Sequence, residues 1–297
     1  MDMLQIHGLC KRFGEKQVLK DLSLCVPEHS IFGFIGKNGA GKTTTMKAVL
    51  GLLAPDAGEI LVGGELVRYG ETPTNRMIGY LPDVPEFYSF MNAREYLSYC
   101  GEIAGMERGV IRSRTEELLA LVGLAGEGHR IRGYSRGMKQ RLGIASALLA
   151  RPRLLICDEP TSALDPIGRR EILDILLSLR EQTTVLFSTH ILSDVERIAT
   201  DVALLDGGAV QMQGKLSELK KKYPSDAYRV EMDGDAASLL AHFPAIRRDE
   251  NGQLLFHESE YALAEVLHFV AEHRLPLVRI ERTQHTLEDL FVEVTEK

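Results

Sequence analysis

The chain reads as an α/β protein: a parallel α/β core with an antiparallel β region at its N-terminal side and a helical insertion, followed by a small C-terminal α+β domain. Three observations predict this. The apolar run Ile31-Phe32-Gly33-Phe34-Ile35 feeds a glycine-rich loop and then a helical stretch, the strand–loop–helix order of an α/β unit. A second apolar run, Leu154-Leu155-Ile156-Cys157, ends in two carboxylates, Asp158-Glu159, as a buried strand does where its C-terminal edge opens onto a ligand cleft. Between the two, from Asn92 to Ala150, the pattern turns helical with no clear strand; helix–strand alternation then resumes through Asp206.

The elements follow in order. Leu4-Gln5-Ile6-His7 alternates like an antiparallel strand, turns near Gly14, and pairs with Val18 to Val26, where Val18, Leu22, Leu24 and Val26 are apolar. Lys42 to Leu53 continues the glycine loop as a helix, closed by Ala54-Pro55-Asp56-Ala57-Gly58. Strands are expected at Glu59 to Val62, Met77 to Leu81 and Arg153 to Cys157, with the helical insertion over about 84–150. A basic run meets proline at Lys220-Lys221-Lys222-Tyr223-Pro224, which places the domain boundary between 1–222 and 223–297. In the second domain Tyr228 to Met232, Leu254 to His257 and Leu277 to Glu281 read as strands. Ala236 to Phe243, Tyr261 to His273 and Thr286 to Val294 read as helices. There is no internal repeat or low-complexity tract.

At 297 residues, 44% hydrophobic and 26% charged, the composition is that of an ordinary soluble globular protein. No apolar run approaches the ~20 residues that span a bilayer. The start, Met1 to His7, lacks a basic-then-apolar leader, so a cytoplasmic chain is expected, meeting a membrane only through a partner. Four cysteines, Cys10, Cys25, Cys100 and Cys157, lack metal-ligand spacing and are expected as reduced thiols. The net charge of -7 is uneven: 7 basic and 15 acidic residues lie from Tyr223 onward. An acidic C-terminal piece is a poor polyanion binder, so no nucleic-acid partner is expected.

Five motifs carry chemistry. Gly36-Lys37-Asn38-Gly39-Ala40-Gly41-Lys42-Thr43 fits G-x-x-x-x-G-K-[ST] between a strand and a helix. Glycines let backbone N–H groups converge on phosphate oxygens, and the helix N-terminus adds partial positive charge. Gly36, Asn38, Gly39, Ala40, Gly41, Lys42, Thr43 and Thr44 form the expected binding set, with Lys42 on the β/γ-phosphates and Thr43 on Mg²⁺. The second motif is the Asp158-Glu159 strand end; alone, such a pair is often a solvated turn. The third is Tyr134-Ser135-Arg136-Gly137-Met138-Lys139-Gln140-Arg141, where Ser135 opens a helix whose N-terminus can face an anion; alone, this is a capped surface helix. The fourth is Ser162-Ala163-Leu164-Asp165-Pro166, equally a helix start with proline at its first turn. The fifth is Ser188-Thr189-His190 after a β run. Arg130, Arg132, Arg136, Lys139 and Arg141 crowd the third motif and read as a solvated face that steers nucleotide.

In this order the five motifs resemble the ATP-binding cassette (ABC) ATPases over roughly the first three quarters of the chain. The resemblance implies a P-loop NTPase cassette that uses ATP and Mg²⁺. In that reading Asp158 holds Mg²⁺ through water and Glu159 polarises the attacking water, while His190 contacts the γ-phosphate. The third motif is similar to the family signature, commonly Leu-Ser-Gly-Gly-Gln; Arg136 and Met138 depart from it in a form seen in bacterial export-type members. Ser135 and Gly137 would face the γ-phosphate bound by another subunit. The active unit is then a head-to-tail homodimer, or a dimer with a related ATPase subunit, and Asp165 connects its two sites. Phe13 occupies the place where the family stacks an aromatic on adenine. Asp83 stands where glutamine is usual, meeting Mg²⁺ and the attacking water, and is both shorter and charged.

The family most often supplies energy to a membrane transporter, so an integral-membrane permease is the expected partner. It would dock after Asp83, near Glu86, Phe87 and Tyr88, and hold the chain on the cytoplasmic face of the membrane. The ending Thr286-Leu287-Glu288-Asp289-Leu290-Phe291 is similar to those of bacterial drug, bacteriocin and ion exporters, which implies that the second domain stabilises or regulates the dimer. The alternative is a soluble ABC ATPase acting on ribosomes or DNA. Such proteins usually carry two cassettes or a long inserted coiled coil, and this sequence has neither.

Overall fold

The computed structural model describes residues 2–70, 73–222, 227–234, 236–248, 252–283 and 287. The chain divides into two compact units, one formed mainly by Met1–Leu216 and the other by Ser217–Glu293. The division falls at the start of a helix, Leu216–Lys222, whereas the sequence expectation placed it where that helix ends.

Two sheets build the first unit. One is antiparallel, ordered β2 (Lys16–Pro27), β1 (Asp2–Phe13), β4 (Ala57–Val62), β5 (Glu65–Leu66). The β1–β2 hairpin turns at Gly14, whose φ of 57° suits glycine. Both strands run further than the alternation around Leu4 and Val18 suggested, because register shifts let the pairing continue past polar residues. The other sheet is ordered β10 (Ala209–Lys215), β9 (Asp201–Asp206), β3 (Ile31–Ile35), β8 (Thr184–Thr189), β7 (Leu154–Cys157), β6 (Ile78–Leu81). All its pairings are parallel except that of β10, an edge strand returning from β9. Every residue of β3, β7 and β8 is buried, which is why β3 and β7 read as continuous apolar runs; β8 keeps Val185, Leu186 and Phe187 apolar between buried hydroxyl residues. The Cys157 thiol lies in this layer, and burial pushes its pKa up, leaving a small inert hydrophobe.

Helix α1 (Lys42–Val49) leaves the loop after β3 and ends earlier than the expected Leu53. Gly51 takes a left-handed φ of 68°, the Leu52 N–H donates to the Lys47 carbonyl and the Gly51 N–H to that of Ala48. That double bond pattern is a Schellman stop, which an apolar Gly-Leu-Leu stretch does not announce. The insertion holds α2 (Ala93–Ile103), α3 (Arg108–Leu121) and α4 (Arg136–Leu148), with no strand among its described residues. Asn92 and Glu95 form a reciprocal capping box that fixes the start of α2. Helices α5 (Pro166–Ser178), α6 (Leu192–Ile198) and α7 (Leu216–Lys222) follow. Phe32, Phe34, Met46, Ile156 and Leu186 lie in a core that fills the space between the two sheets and α1.

The second unit is an antiparallel sheet, β12 (Arg247–Arg248), β13 (Leu254–His257), β11 (Ala227–Met232), β14 (Leu277–Arg282), with α8 (Ala237–His242) and α9 (Leu263–Glu272). It has its own core of Val230, Leu239, Phe243, Phe256, Val266 and Phe269. The helix expected over Thr286 to Val294 falls, apart from Leu287, outside the described residues. Among the described residues no helix is long and apolar enough to cross a membrane.

Candidate functional site

The loop 36–43 lies at the C-terminal end of β3, between β8 and β9. Two of its glycines are required by close approach. A Cβ on Gly36 would stand 2.7 Å from the Leu205 carbonyl oxygen; one on Gly41, whose φ is 115°, would stand 2.6 Å from Leu19 Cδ2. Helix α1 has no side-chain cap and no acidic residue in its first turn, so its leading N–H groups and positive dipole end are left for an anion. Lys42 is 6% exposed and folds back over the loop. Its Nζ donates to Gly36 O at 2.6 Å and Lys37 O at 3.4 Å, and pairs with Glu159 Oε1 at 3.1 Å.

The carboxylates come from the neighbouring strands. Cys157 pairs with Phe187 in the β7–β8 register, so Asp158 and Ser188 emerge side by side. Asp158 is buried; Oδ2 accepts from Thr43 Oγ1 at 2.7 Å and Oδ1 from Ser188 Oγ at 2.6 Å. The same Ser188 Oγ accepts from the Glu159 N–H at 2.9 Å. Glu159 holds a left-handed φ of 47°, a strained conformation for a residue with a side chain. Its side chain is pinned at both oxygens, Oε1 by Lys42 and Oε2 by His190 Nδ1 at 2.9 Å. Asn38, Gly39, Gly41, Lys42, Thr43, Thr44, Asp83, Glu159 and His190 all line one cavity of about 380 Å³, together with Val18 and Ser162.

Residues 19–162 match the ABC transporter family, and residues 214–295 match the family described as ATP-binding protein DrrA1-3-like, C-terminal domain. The chain is 38% identical to the ABC transporter ATP-binding protein YxlF of Bacillus subtilis (strain 168), over 98% of this chain and 99% of that one. It belongs to the ABC transporter ATP-binding proteins. It is also 35% identical to the bacitracin transport ATP-binding protein BcrA of Bacillus licheniformis, over 98% of this chain and 97% of that one. A solved ATP-binding subunit of an ABC transporter superposes with a TM-score of 0.65 at 30% identity, covering 74% of this chain and 92% of that one. The chain is therefore an ABC ATPase, and the cavity above is its candidate ATP site.

The cavity suits the groups such an ATPase uses. Gly36 and Gly41 let the loop backbone pack directly against Leu205 and Leu19, and α1 leaves its leading N–H groups uncapped for phosphate. On the metal side it offers the Thr43 hydroxyl and the Asp83 carboxylate as hard oxygen donors, with the Asp158 carboxylate bonded directly behind Thr43. Among the described residues no group of three or more His, Cys, Asp or Glu could enclose an ion. One or two carboxylates completed by phosphate oxygens and water is the manner in which Mg²⁺ is bound.

The remaining ABC positions lie around this centre. Asp83 follows β6 and reaches the cavity rim. Burial lifts its carboxyl above the ordinary range; Arg136 opposes that rise, while Asp158 and Glu159 add to it. Phe13 ends β1, half exposed, with Lys11 Nζ 5.6 Å from its ring centre, and does not line the cavity. Ser135 caps α4, accepting from the Met138 N–H at 3.2 Å, and nothing lies closer than 4.0 Å to a Cβ built on Gly137. Neither residue lines the cavity. Asp165 caps α5 by accepting from the Gly168 N–H at 2.7 Å. His190 meets Glu159 rather than standing free. Gln140 is fully buried and donates from Nε2 to Asp83 O at 2.9 Å, so its part is to hold backbone. Ser188, Val18 and Ser162 were not among the expected site residues. A hydroxyl on the strand beside the Asp-Glu strand end was the available signal for Ser188.

Proposed function

We propose that this ABC ATPase powers export by a partner integral-membrane permease, working as a head-to-tail homodimer, or with a related ATPase subunit, that closes around two ATPs. The observation that carries this reading is the separation of the motifs. Lys42, Glu159 and His190 converge on one cavity, whereas Ser135 and Gly137 stand apart from it at the start of α4, which Ser135 caps and solvent reaches. A second subunit turned head to tail would place that start over the nucleotide of this one. Export is supported by relatives such as the bacitracin transport ATP-binding protein BcrA and the linearmycin resistance ATP-binding protein LnrL, the latter 29% identical.

In this reading Lys42 and the N–H groups of the loop and α1 bind the β- and γ-phosphates, and Phe13 stacks on adenine. Thr43, Asp158 and Asp83 would hold Mg²⁺. When bound, Mg²⁺ neutralises charge on the phosphate oxygens and orients them. Phosphates draw Lys42 off Glu159, which frees Oε1 to accept the proton of the attacking water. His190 keeps Oε2 in place meanwhile, and Asp165 carries the state of one site to the other. The permease docks on the aromatic entry to the insertion, where the Tyr88 ring meets Phe90 at a tilt and Tyr99 edge to face, and all three stay exposed. The chain then sits peripherally on the cytoplasmic face of the membrane.

The test is the Glu159→Gln protein. It should bind ATP and hydrolyse none, and full turnover would remove Glu159 from its role. Purified with ATP from detergent-solubilised native membranes, it should carry a multi-spanning membrane protein at near-equal stoichiometry. Recovery of ribosomal or DNA-associated proteins alone would replace export with a soluble ABC motor.

A further inference from the structure

Asp83 adds a negative charge to a cavity that must receive a polyphosphate and already holds Glu159, with Asp158 beside it. Its Oδ1 is buried and accepts no hydrogen bond among the described residues. The cation facing that oxygen is Arg136, with Nη2 at 3.6 Å. One helical turn along the same face of α4, Gln140 grips the Asp83 backbone carbonyl at 2.9 Å. Helix α4 therefore holds Asp83 at two points, one neutral and one charged. The position of Arg136 is informative in itself. It is the first residue of α4, where a cation works against the helix dipole. Helix stability therefore does not account for arginine there.

We infer that Arg136 is a positioning residue that acts through Asp83. It offsets the Asp83 charge and holds the carboxylate to the α4 side of the cavity, so that phosphates can enter before a metal ion neutralises them. The inference rests on the cavity being the ATP site and names a residue that acts on it from the signature helix of the same chain. Because Ser135 adjoins Arg136, the link also joins the phosphate cavity to the surface proposed to meet a second nucleotide.

The experiment measures ATP affinity of the full chain with EDTA present and, separately, with Mg²⁺, for the wild type, Arg136→Gln, Arg136→Lys, Asp83→Asn and the Asp83→Asn/Arg136→Gln pair. Arg136→Gln should weaken metal-free ATP binding about two- to five-fold, the size expected for an ion pair this exposed, and should weaken Mg·ATP binding less. Arg136→Lys should restore most of the loss. In the Asp83→Asn background Arg136→Gln should change nothing, because the charge it offsets is gone. The melting temperature of Arg136→Gln should not fall, which separates this role from a structural one. An unchanged affinity in Arg136→Gln, or an equal loss with and without the Asp83 charge, overturns the inference. Wild-type protein that binds no ATP would instead sink the site on which it rests.

Discussion

Ser188 joins two charged residues with one hydroxyl, donating to Asp158 Oδ1 and accepting from the Glu159 N–H. Removing it leaves a fully buried carboxylate oxygen short of a donor and releases the backbone of a residue held at φ 47°. A buried group that loses its partner costs about 1–3 kcal/mol. Ser188→Ala should therefore lower the melting temperature and reduce ATP turnover by roughly ten-fold or more, since a general base is sensitive to small displacements. Steady-state kinetics beside a thermal melt would check this; unchanged turnover would mean that Glu159 is positioned without Ser188. Lys42→Ala acts differently. It removes the cation that both pairs with Glu159 and faces the phosphate loop, so ATP affinity should collapse while the fold survives. A titration with fluorescent nucleotide would read the loss, and retained affinity would take Lys42 out of phosphate binding.

At the scale of the element, Asp165 has two readings that a pair of substitutions separates. As the cap of α5 it accepts one N–H, and Asn caps a helix as well as Asp does. Asp165→Ala should cost about 1 kcal/mol of stability, whereas Asp165→Asn should cost almost none. A fall in cooperative ATP turnover in Asp165→Asn at an unchanged melting temperature would place the charge in communication between sites. Unaltered turnover would leave the capping role alone. Helix starts of this kind were legible in the sequence because the cap, the proline and the apolar period lie within a few residues. So were β3 and β7, whose full burial forces continuous apolar runs. The stop of α1 is missed because the apolar Leu50, Leu52 and Leu53 outweigh Gly51 in the pattern, whereas Gly51 takes the left-handed turn that ends the helix. The grip of α4 on Asp83 was not legible either. Arg136 and Asp83 lie far apart in sequence, and only the packing of the insertion against β6 brings them together. The order of the motifs is legible in the sequence, and Lys42, Glu159 and His190 from three of them line one cavity, but their bonds to one another depend on strand register that no local pattern contains.

At the scale of the whole molecule, each of the two units has its own hydrophobic core. Phe32, Phe34 and Leu186 belong to one; Phe243, Phe256 and Phe269 belong to the other. The phosphate cavity is lined entirely by residues of the first unit. A ligand stabilises only the unit whose folded state it binds, by about 2.7 kcal/mol at a hundred times its dissociation constant. For a unit of this size that corresponds to a rise of roughly 5–10 °C in its transition temperature. Calorimetry of the intact chain with saturating Mg·ADP should therefore show one transition moved upward by that amount and a second left where it was. Cavity-impaired Lys42→Ala should show no shift in either transition. If both transitions rise together with nucleotide, the two units unfold as one cooperative body, and regulation of ATP turnover by the C-terminal unit would have a direct energetic route. If only the first moves, the candidate ATP site exchanges no free energy with the C-terminal core within one chain, and the proposed regulation by that unit would have no direct energetic route there.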